Sequence, residues 1–382
     1  MTSFTGSAIF WKRWDLPTGK HGAILEKIHL SMIKIPLKLT FDDVLLQPRR
    51  SSVSRSGVLL ATFLTRKLQL DIPVISAAMD TVSELQMAIA LGHLGGMAIL
   101  HRSCSIEQQV KWIKAAKKAG VKVGAAVGPS DLQRAIALDK SGADVVVVDT
   151  AHGHSVQAIE GMKKIRNAVK AQLILGNIAT AAAARDLLPH ADAIKVGIGP
   201  GSICTTRIVA GIGVPQLSAI MDVVAVARKK NIPVIADGGI KYSGDAVKAL
   251  AAGASCIMLG SMLAGTDESP GKIIKKDGQM FKSYRGMGSM AVMELNESSD
   301  RYFQKNARKF VPEGVEALTP YKGPVGAIIE QVTGGIRSGM GYIGAHTIAD
   351  MPEQANFVQI TAAGLKESHP HSVTISKKAP NY

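Results

Sequence analysis

The stretch VKVGAAVGPSDLQRAIALDKSGADVVVVDTAHGHS, residues 121–155, decides the fold class of this chain. Apolar runs at residues 121–127 and 144–148 have the length and the β-branched content of buried strands. Between them, a helical pattern begins at Asp131 and ends at Gly142. A strand, a helix and a second strand in this order predict a right-handed βαβ unit and a parallel sheet.

The same alternation extends from this unit in both directions. Further short apolar runs, most of them separated by helical patterns, cover residues 72–77, 96–100, 172–175, 193–196, 232–236 and 255–259. One helix is expected from Ser105 to about Lys118, and another between Ser243 and Gly253. Eight strands with helices predict an α/β fold, a (β/α)8 TIM barrel. The alternative is a doubly wound open sheet, which would have fewer strands.

Composition excludes several classes of protein. The chain has 382 residues, of which 46% are hydrophobic and 20% charged, so extensive disorder is not expected. No uncharged apolar stretch reaches the roughly 18 residues that span a bilayer, so no membrane association is expected. The cysteines, Cys104, Cys204 and Cys256, are far apart and form no CxxC motif. This pattern argues against a disulfide framework and fits a reducing, cytoplasmic location.

The charge balance raises the hypothesis of a nucleic-acid partner. Lys and Arg number 45 and Asp and Glu 30, which gives a net charge of +15. The basic clusters at residues 114–118, 228–230 and 272–276 lie mostly at expected helix ends or in loops. Aromatic residues, on which single-stranded bases stack, make up only 4% of the chain. A solvated basic face, which also attracts anionic phosphate ligands, is therefore the preferred interpretation.

The chain is predicted to contain one barrel domain with an extension before it. Residues 1–31 have clustered aromatics and no long apolar core of a signal peptide, and are interpreted as a disordered extension. Residues 32–382 are predicted to form the barrel domain. The strand–helix repeat breaks after the eighth strand, where residues 266–345 contain many Gly, Ser, Asp and Pro. A loop of this length predicts a flap over the functional site.

The barrel fold predicts where functional residues lie, because the active sites of such barrels are at the C-terminal ends of the strands. Polar and glycine-rich residues follow the expected strands at Asp80, His101-Arg102, Gly128, Asp149-Thr150, Gly176-Asn177, residues 197–207, residues 237–239 and Gly260-Ser261. We therefore expect one functional site at this end of the barrel.

GIGPGSICTTR, residues 197–207, is the most informative of these segments. Its glycines let the backbone approach a ligand closely, and they present Cys204 on a loop. Arg207 and nearby backbone N–H groups are expected to favour the nucleophilic thiolate form of Cys204. Cys256 lies inside an apolar strand and is expected to be a buried structural residue, as is Cys104.

Two further segments predict nucleotide binding. DGG at 237–239 and GS at 260–261 follow the seventh and eighth strands, where barrels bind phosphate through exposed backbone N–H groups. The Asp237 carboxylate repels phosphate and is expected to bind a ribose hydroxyl instead. Asp149, at the end of VVVVD, has two interpretations: a partner of ribose hydroxyls, or the N-cap of the following helix.

In a set of ordered motifs, residues 32–382 resemble the inosine monophosphate dehydrogenase family. The motifs are LTFDDVLLQP (39–48), AAMDTV (77–82), GSICTTR (201–207), ADGGI (236–240), YRGMGS (284–289), SSDRYFQ (298–304), VPEGVE (311–316) and GLKESHPHSV (364–373). The resemblance implies a (β/α)8 barrel enzyme, expected to be a homotetramer. It would oxidise IMP to XMP with NAD, the committed step of guanine nucleotide synthesis.

The resemblance also implies catalytic roles. Cys204 would be the nucleophile that attacks the purine and forms a covalent thioimidate when hydride leaves to NAD. Thr206 would help to place the hydrolytic water. Arg301 would be the general base, with Tyr302 beside it on the mobile flap.

Three sets of ligand-binding residues follow from the same resemblance. Those for IMP are Ser202, Asp237, Gly238, Gly239, Gly260, Ser261, Tyr284, Arg285, Gly286, Met287, Gly288 and Glu313. Those for NAD are Asp149, Thr150, Ala151, Gly197, Ile198 and Gly199. Those for a potassium ion are the carbonyls of Gly199, Gly201 and Cys204, with Glu367, Ser368 and His369 from a neighbouring subunit. Hard oxygen ligands of this kind suit an alkali cation.

The chain departs from the family pattern at one point. Family members usually carry a pair of CBS modules after the second strand and its helix, whereas here residues 105–120 run directly into residues 121–128. No CBS domain and no regulation through one is therefore expected.

Two rival functions remain. GMP reductase shares the barrel, the cysteine loop and the thioimidate, but it lacks the Arg-Tyr pair that this chain has at 301–302. A basic nucleic-acid-binding protein on the same scaffold is the rival from another class.

Overall fold

The computed structural model describes residues 35–294, 311–377 and 379–380. The chain divides into two units, residues 1–37 and residues 38–382. Only residues 35–37 of the first unit are described, and they have no regular secondary structure. No helix in these described ranges is both long and apolar enough to cross a lipid bilayer.

The second unit contains a closed barrel of eight parallel strands. The strands are β1 (Val74–Ser76), β2 (Met97–Leu100), β3 (Val123–Val127), β4 (Val145–Asp149), β5 (Gln172–Ile178), β6 (Ala193–Val196), β7 (Val234–Asp237) and β8 (Cys256–Leu259). Each strand pairs in parallel with the next one in the chain, and β8 pairs with β1. The predicted (β/α)8 barrel is confirmed, and the open sheet is excluded.

Helices follow the strands as the sequence pattern predicts. They are α1 (Leu85–His93), α2 (Ile106–Lys118), α3 (Leu132–Lys140), α4 (Val156–Ala168), α5 (Ala181–Leu187), the short α6 (Thr206–Val209), α7 (Gln216–Ala227) and α8 (Ser243–Ala251). In α2, the Ser105 hydroxyl accepts a hydrogen bond from the Gln108 N–H at 3.1 Å, and Lys117 and Lys118 lie at the C-terminal end. Both features stabilise helix ends, so this helix has the predicted bounds.

The core has two layers, which β4 illustrates. Val145 and Val147 pack inside the barrel, whereas Val146 and Val148 pack against the surrounding helices. Successive strand residues point to opposite faces, so a run of four valines serves both layers. A hairpin formed by Thr62–Phe63 and Gln69–Leu70 places the buried side chains of Leu64 and Leu70 in the inner layer.

The segment predicted as one long flap, residues 266–345, contains regular structure. It begins with an antiparallel sheet of β9 (Ile274–Lys276), β10 (Gln279–Arg285) and β11 (Glu316–Pro320), with α9 (Met290–Glu294) after β10. It ends in α10 (Val325–Ile343), which packs against α8 and α1 as the eighth barrel helix. The last quarter of the segment predicted as a flap is therefore a helix of the barrel.

Glycines explain why the sequence pattern predicts a loop where the structure has α10. A Cβ on Gly335 would lie 2.3 Å from the Ser243 hydroxyl oxygen, and one on Gly339 would lie 2.4 Å from Cγ1 of Val247. These glycines therefore allow α10 to approach α8 closely, although the same residues usually mark a loop.

The remaining described elements lie outside the barrel. Val44–Leu46 pairs in antiparallel fashion with Phe357–Gln359, and two short helices, α11 (Met351–Gln354) and α12 (Ala362–Glu367), flank the second of these strands. Single 3-10 turns are at Phe41–Asp43, Arg55–Gly57, Leu188–His190, Arg228–Lys230 and Ile348–Asp350.

Candidate active site

A cavity of about 810 Å³ opens at the C-terminal end of the barrel. Its lining includes many of the predicted site residues: Asp149, Thr150, Ala151, Gly197, Ile198, Gly199, Gly201, Cys204, Thr206, Asp237, Gly238, Tyr284, Gly286, Met287, Gly288 and Glu313. They come from the ends of β4, β6 and β7 and from the segments around β10 and β11. The fold thus brings together residues that are up to 164 positions apart.

Cys204 lies on the wall of this cavity. Its Sγ is 3.2 Å from the Thr206 hydroxyl, and its N–H donates to the Gly201 carbonyl at 3.1 Å, which closes a tight turn. All three cysteines are among the described residues, and Cys204 is the one that lines the cavity. Cys256, on β8, is fully buried, and burial raises the pKa of its thiol far above the ordinary value. Cys204 is therefore the cysteine that a bound ligand can reach.

Residues 313–315 cover the cysteine loop. The Thr205 N–H donates to the Glu313 carbonyl at 2.9 Å, and the Val315 N–H donates to the Ile203 carbonyl at 3.0 Å. A Cβ on Gly286 would lie 3.0 Å from the same Ile203 carbonyl and 3.2 Å from Cα of Gly314. The close approach of three backbone segments thus requires glycine here, which is why the YRGMGS and VPEGVE motifs meet at the loop that carries Cys204.

Lys195 is a site residue that the sequence analysis missed. It is on β6, only 2% exposed, and its ammonium nitrogen lies 2.9 Å from Oδ1 of Asp149 and 2.6 Å from Oδ2 of Asp237. It also donates to Oδ1 of Asn177, whose amide nitrogen donates to Asp237 at 2.9 Å. A lysine inside the apolar run AIKV was the available clue, because lysines are rarely buried unless they are paired.

The cap of the following helix excludes one of the two interpretations of Asp149. The N-cap of α4 is Ser155, whose hydroxyl accepts from the Ala158 N–H at 3.2 Å. The N-cap interpretation of Asp149 is therefore wrong. Asp149 and Asp237 instead place two carboxylates around one ammonium group, so a polar cluster with a net negative charge lines the cavity.

Ser202, Gly239 and Ser261 line a second pocket, of about 620 Å³, rather than the main cavity. Pro200 lines both spaces. Gln216 is 2% exposed and lines the second pocket, and its Oε1 makes no hydrogen bond within the described part of the chain. The predicted substrate residues are thus divided between two neighbouring spaces.

Two predicted substrate residues line neither space. The guanidinium of Arg285 donates to Oδ2 of Asp80 at 2.8 Å, which ties β10 to the segment after β1. Gly260 is adjacent to the Tyr284 hydroxyl, which would lie 3.2 Å from a Cβ at that position. For these two residues the structure shows a packing or pairing role, and the prediction that they contact substrate stays a prediction.

Tyr284 lies between the two spaces. Burial raises its pKa to about 12, with a smaller contribution from the negative charge of Asp237, while a hydrogen bond with Ser202 acts in the opposite direction. The phenol therefore remains a neutral hydrogen-bonding group at physiological pH.

Arg207 occupies the inner side of the cysteine loop. Its guanidinium donates to the Val214 carbonyl at 2.7 Å, and a Cβ on Gly199 would lie 2.7 Å from Cγ of Arg207. Burial lowers the pKa of Arg207, and the nearby Cys204 has the opposite effect. The guanidinium thus supports the loop backbone, and the expectation that Arg207 favours the thiolate form of Cys204 stays a prediction.

Comparison with known proteins places the chain in a family. The model of the IMP dehydrogenase / GMP reductase domain matches residues 38–371. The chain belongs to this family. The inosine-5'-monophosphate dehydrogenase of Cryptosporidium parvum is 44% identical to it, with 90% of this chain and 97% of that protein covered. For the proteins of the same name from Aquifex aeolicus and Bacillus subtilis the identity is 40%, with 91% and 90% of this chain and 98% and 97% of those proteins covered.

The expected absence of an insert after α2 fits both the structure and the family comparison. Helix α2 ends at Lys118 and β3 begins at Val123, so residues 119–122 are the whole connection. The alignment with the Aquifex protein runs over 481 positions, more than the 382 residues of this chain, whereas that with the Cryptosporidium protein runs over 390. The family thus includes a relative with little sequence beyond that of this chain.

The three predicted potassium ligands of the C-terminal segment do not line the described cavity. Glu367 ends α12, Ser368 caps it, and the His369 ring is 5.9 Å from the Tyr242 ring, measured between centroids. No group of three His, Cys, Asp or Glu residues that could hold a metal occurs in residues 35–294, 311–377 and 379–380. Arg301 and Tyr302 lie outside the described residues.

Proposed function

We propose that this protein oxidises IMP to XMP with NAD, through a covalent intermediate on Cys204, in guanine nucleotide biosynthesis. The observation that carries the proposal is the position of the Cys204 thiol. It lies 3.2 Å from the Thr206 hydroxyl, in a cavity that is also lined by the cluster of Lys195, Asp149 and Asp237. A reachable thiol beside hydroxyl-binding carboxylates suits covalent chemistry on a nucleoside.

The two spaces suit the two ends of the substrate. Backbone N–H groups and hydroxyls around Ser202, Gly239 and Ser261 would hold the phosphate in the second pocket. The Asp237 carboxylate would accept from the ribose hydroxyls, and the purine would lie in the main cavity against Cys204. Asp149, on the other side of Lys195, would accept from a ribose hydroxyl of NAD.

In the proposed reaction, three side chains have chemical roles: Cys204, Thr206 and Arg301. The Cys204 thiolate attacks the purine carbon next to the ring nitrogen, and hydride leaves from that carbon. NAD, when bound, accepts the hydride. Water then attacks the resulting thioimidate, loses a proton to Arg301 and displaces Cys204, which gives XMP. Thr206 would orient this water, since its hydroxyl is beside the sulfur.

A potassium ion and a homotetramer are part of the proposal. The carbonyls of Gly199, Gly201 and Cys204 belong to one short loop, and such oxygens suit an alkali cation. Glu367, Ser368 and His369 are at the end of α12 and are largely exposed, so they are accessible to a second copy of the chain. Potassium binding would then depend on assembly of the homotetramer. The assembled enzyme would be located in the cytoplasm.

The second candidate is GMP reductase, because the matching family model covers both activities. The test is to incubate the purified protein with IMP, NAD and potassium and to follow NADH absorbance. NADH and XMP should form, and replacing potassium by sodium or lithium should lower the rate. Consumption of NADPH with GMP, without NADH formation from IMP, would establish the reductase instead.

A further inference from the structure

A basic pocket lies at the opposite end of the barrel from the cavity. It has an empty volume of about 1070 Å³, and its charged lining consists of Arg66, Arg185, Lys229 and Lys230. The Arg66 N–H donates to the carbonyl of Asp192, directly before β6, and the two lysines precede β7. The basic pocket is therefore at the N-terminal ends of these strands, whereas Asp237 is the last residue of β7 and Cys204 follows the C-terminal end of β6.

The four cationic side chains have no neutralising partner in the part of the chain that the structure describes. Within the described residues, none of them forms a hydrogen bond through its side chain or an ion pair, and no carboxylate lines the pocket. The acidic residues of the surrounding elements are paired elsewhere, as Asp186 with His154, Asp192 with Arg166, Asp222 with Lys38 and Glu353 with Arg228. The positive charge of the pocket is thus available to a ligand.

Helix ends explain only part of this arrangement. Arg185 is in the last turn of α5, and Lys229 and Lys230 follow the end of α7, where cations interact favourably with the helix dipole. Arg66 belongs to no helix and comes from the turn of the hairpin at residues 62–70. The convergence of like charges from three separate elements is unfavourable unless an anion compensates for it.

We propose that the basic pocket binds a small polyphosphate, either free or as part of a nucleotide. Two guanidinium groups offer paired N–H donors to phosphate oxygens, and two ammonium groups add point charges. A chain of linked phosphates, with about four negative charges, balances the four cations better than one phosphate of about two charges does. Leu188, Pro189 and Val226 form an apolar part of the lining, against which a nucleoside can pack.

The test is calorimetric titration of inorganic triphosphate into the full-length protein at physiological ionic strength. The double variant Lys229→Ala/Lys230→Ala should bind at least about tenfold more weakly than the wild type. Arg66→Ala, on a different element, should also weaken binding. The matched control is Lys111→Ala/Lys114→Ala, which removes two exposed lysines of α2, and it should bind like the wild type. Far-UV circular dichroism and thermal melting check that each variant is folded.

Three results would overturn the proposal. The first is no saturable binding of triphosphate, and the second is equal affinity in the wild type and Lys229→Ala/Lys230→Ala. The third is equal weakening in the control variant Lys111→Ala/Lys114→Ala, which would mean that binding reflects only the net positive charge of the protein. Titration with a nucleoside triphosphate then separates the two sources of the phosphate chain. If the nucleoside triphosphate binds more tightly than inorganic triphosphate, the apolar lining contacts the nucleoside. If the two bind equally, the pocket recognises the phosphates alone. Binding of an oligonucleotide without binding of triphosphate would contradict a small-ligand site. None of these measurements depends on the proposed IMP oxidation.

Discussion

The ammonium nitrogen of Lys195 lies 2.6 Å from Oδ2 of Asp237, and this largely buried pair lines the cavity that Cys204 also lines. The same ammonium contacts Asp149, so one cation links the carboxylate assigned to the substrate ribose with the one assigned to NAD. Breaking a buried pair leaves an uncompensated charge, and here it would leave two carboxylates facing each other.

Lys195→Met should therefore raise the Michaelis constants for both IMP and NAD by about tenfold or more, because the carboxylates repel each other and lose their orientation. Lys195→Arg keeps the charge and should recover part of the loss. Initial-rate kinetics with each ligand varied in turn measure these effects.

A variant that only loses folding stability should not show these changes in the Michaelis constants. Lys282→Met is the control, because Lys282 is also buried but donates to the carbonyls of Thr266 and Ser269, outside the cavity. It should lower the melting temperature with little change in the Michaelis constants. If Lys195→Met behaved in the same way, the assigned role of Lys195 in the site would be wrong.

Cys204→Ala should lower NADH formation by roughly three orders of magnitude or more while IMP still binds, because the other proposed contacts remain. Intact-mass analysis during turnover should show a nucleotide adduct on the wild type and none on the variant. Cys256→Ala is the matched control, since Cys256 is fully buried on β8 and does not line the cavity. Substantial activity in Cys204→Ala would exclude the covalent mechanism.

Arg301→Ala separates hydride transfer from hydrolysis. Hydride transfer does not need a base for water, so the variant should release about one equivalent of NADH rapidly and then turn over very slowly. Rapid-mixing absorbance detects the burst, and mass analysis should show the nucleotide trapped on Cys204. A raised Michaelis constant for IMP with an unchanged maximal rate would instead indicate simple phosphate binding by Arg301.

Lys322 should make stability depend on pH. Its ammonium group donates to the carbonyls of Ser261, Met262 and Ala264, with no carboxylate partner among the described residues, and burial lowers its pKa from 10.5 to about 8. Between these pH values the unfolded chain binds more protons than the folded one, so the free energy of unfolding should rise with pH. The rise attributable to Lys322 is on the order of 2 kcal/mol.

Urea unfolding from pH 7 to pH 10.5 measures this dependence. Lys322→Met should remove the rise, whereas Lys276→Met, which changes an exposed lysine of β9, should keep it. If the free energy of unfolding depended on pH in the same way in the wild type and Lys322→Met, burial of Lys322 would not lower its pKa.

The segment after β8 shows where sequence patterns fail. The apolar stripe Val325, Ile329, Val332, Ile336, Met340 and Ile343 has helical spacing, yet five glycines in the same stretch favour a loop. The glycines are explained only by the closeness of α8, which packs against Gly335 and Gly339. A local pattern cannot reveal a neighbour that is some ninety residues away in the chain.

The sequence by itself determined the barrel, the bounds of most strands and the loop that carries Cys204. These features depend on local periodicity and on glycines whose positions are visible in the chain. Only the tertiary structure decided that Lys195 joins Asp149 to Asp237, that Pro200 lies between two pockets, and that Arg66 meets Lys229 at the other end of the barrel. The physical reason is that burial and pairing of charges depend on which strands and helices become neighbours, and barrel closure alone sets those neighbours.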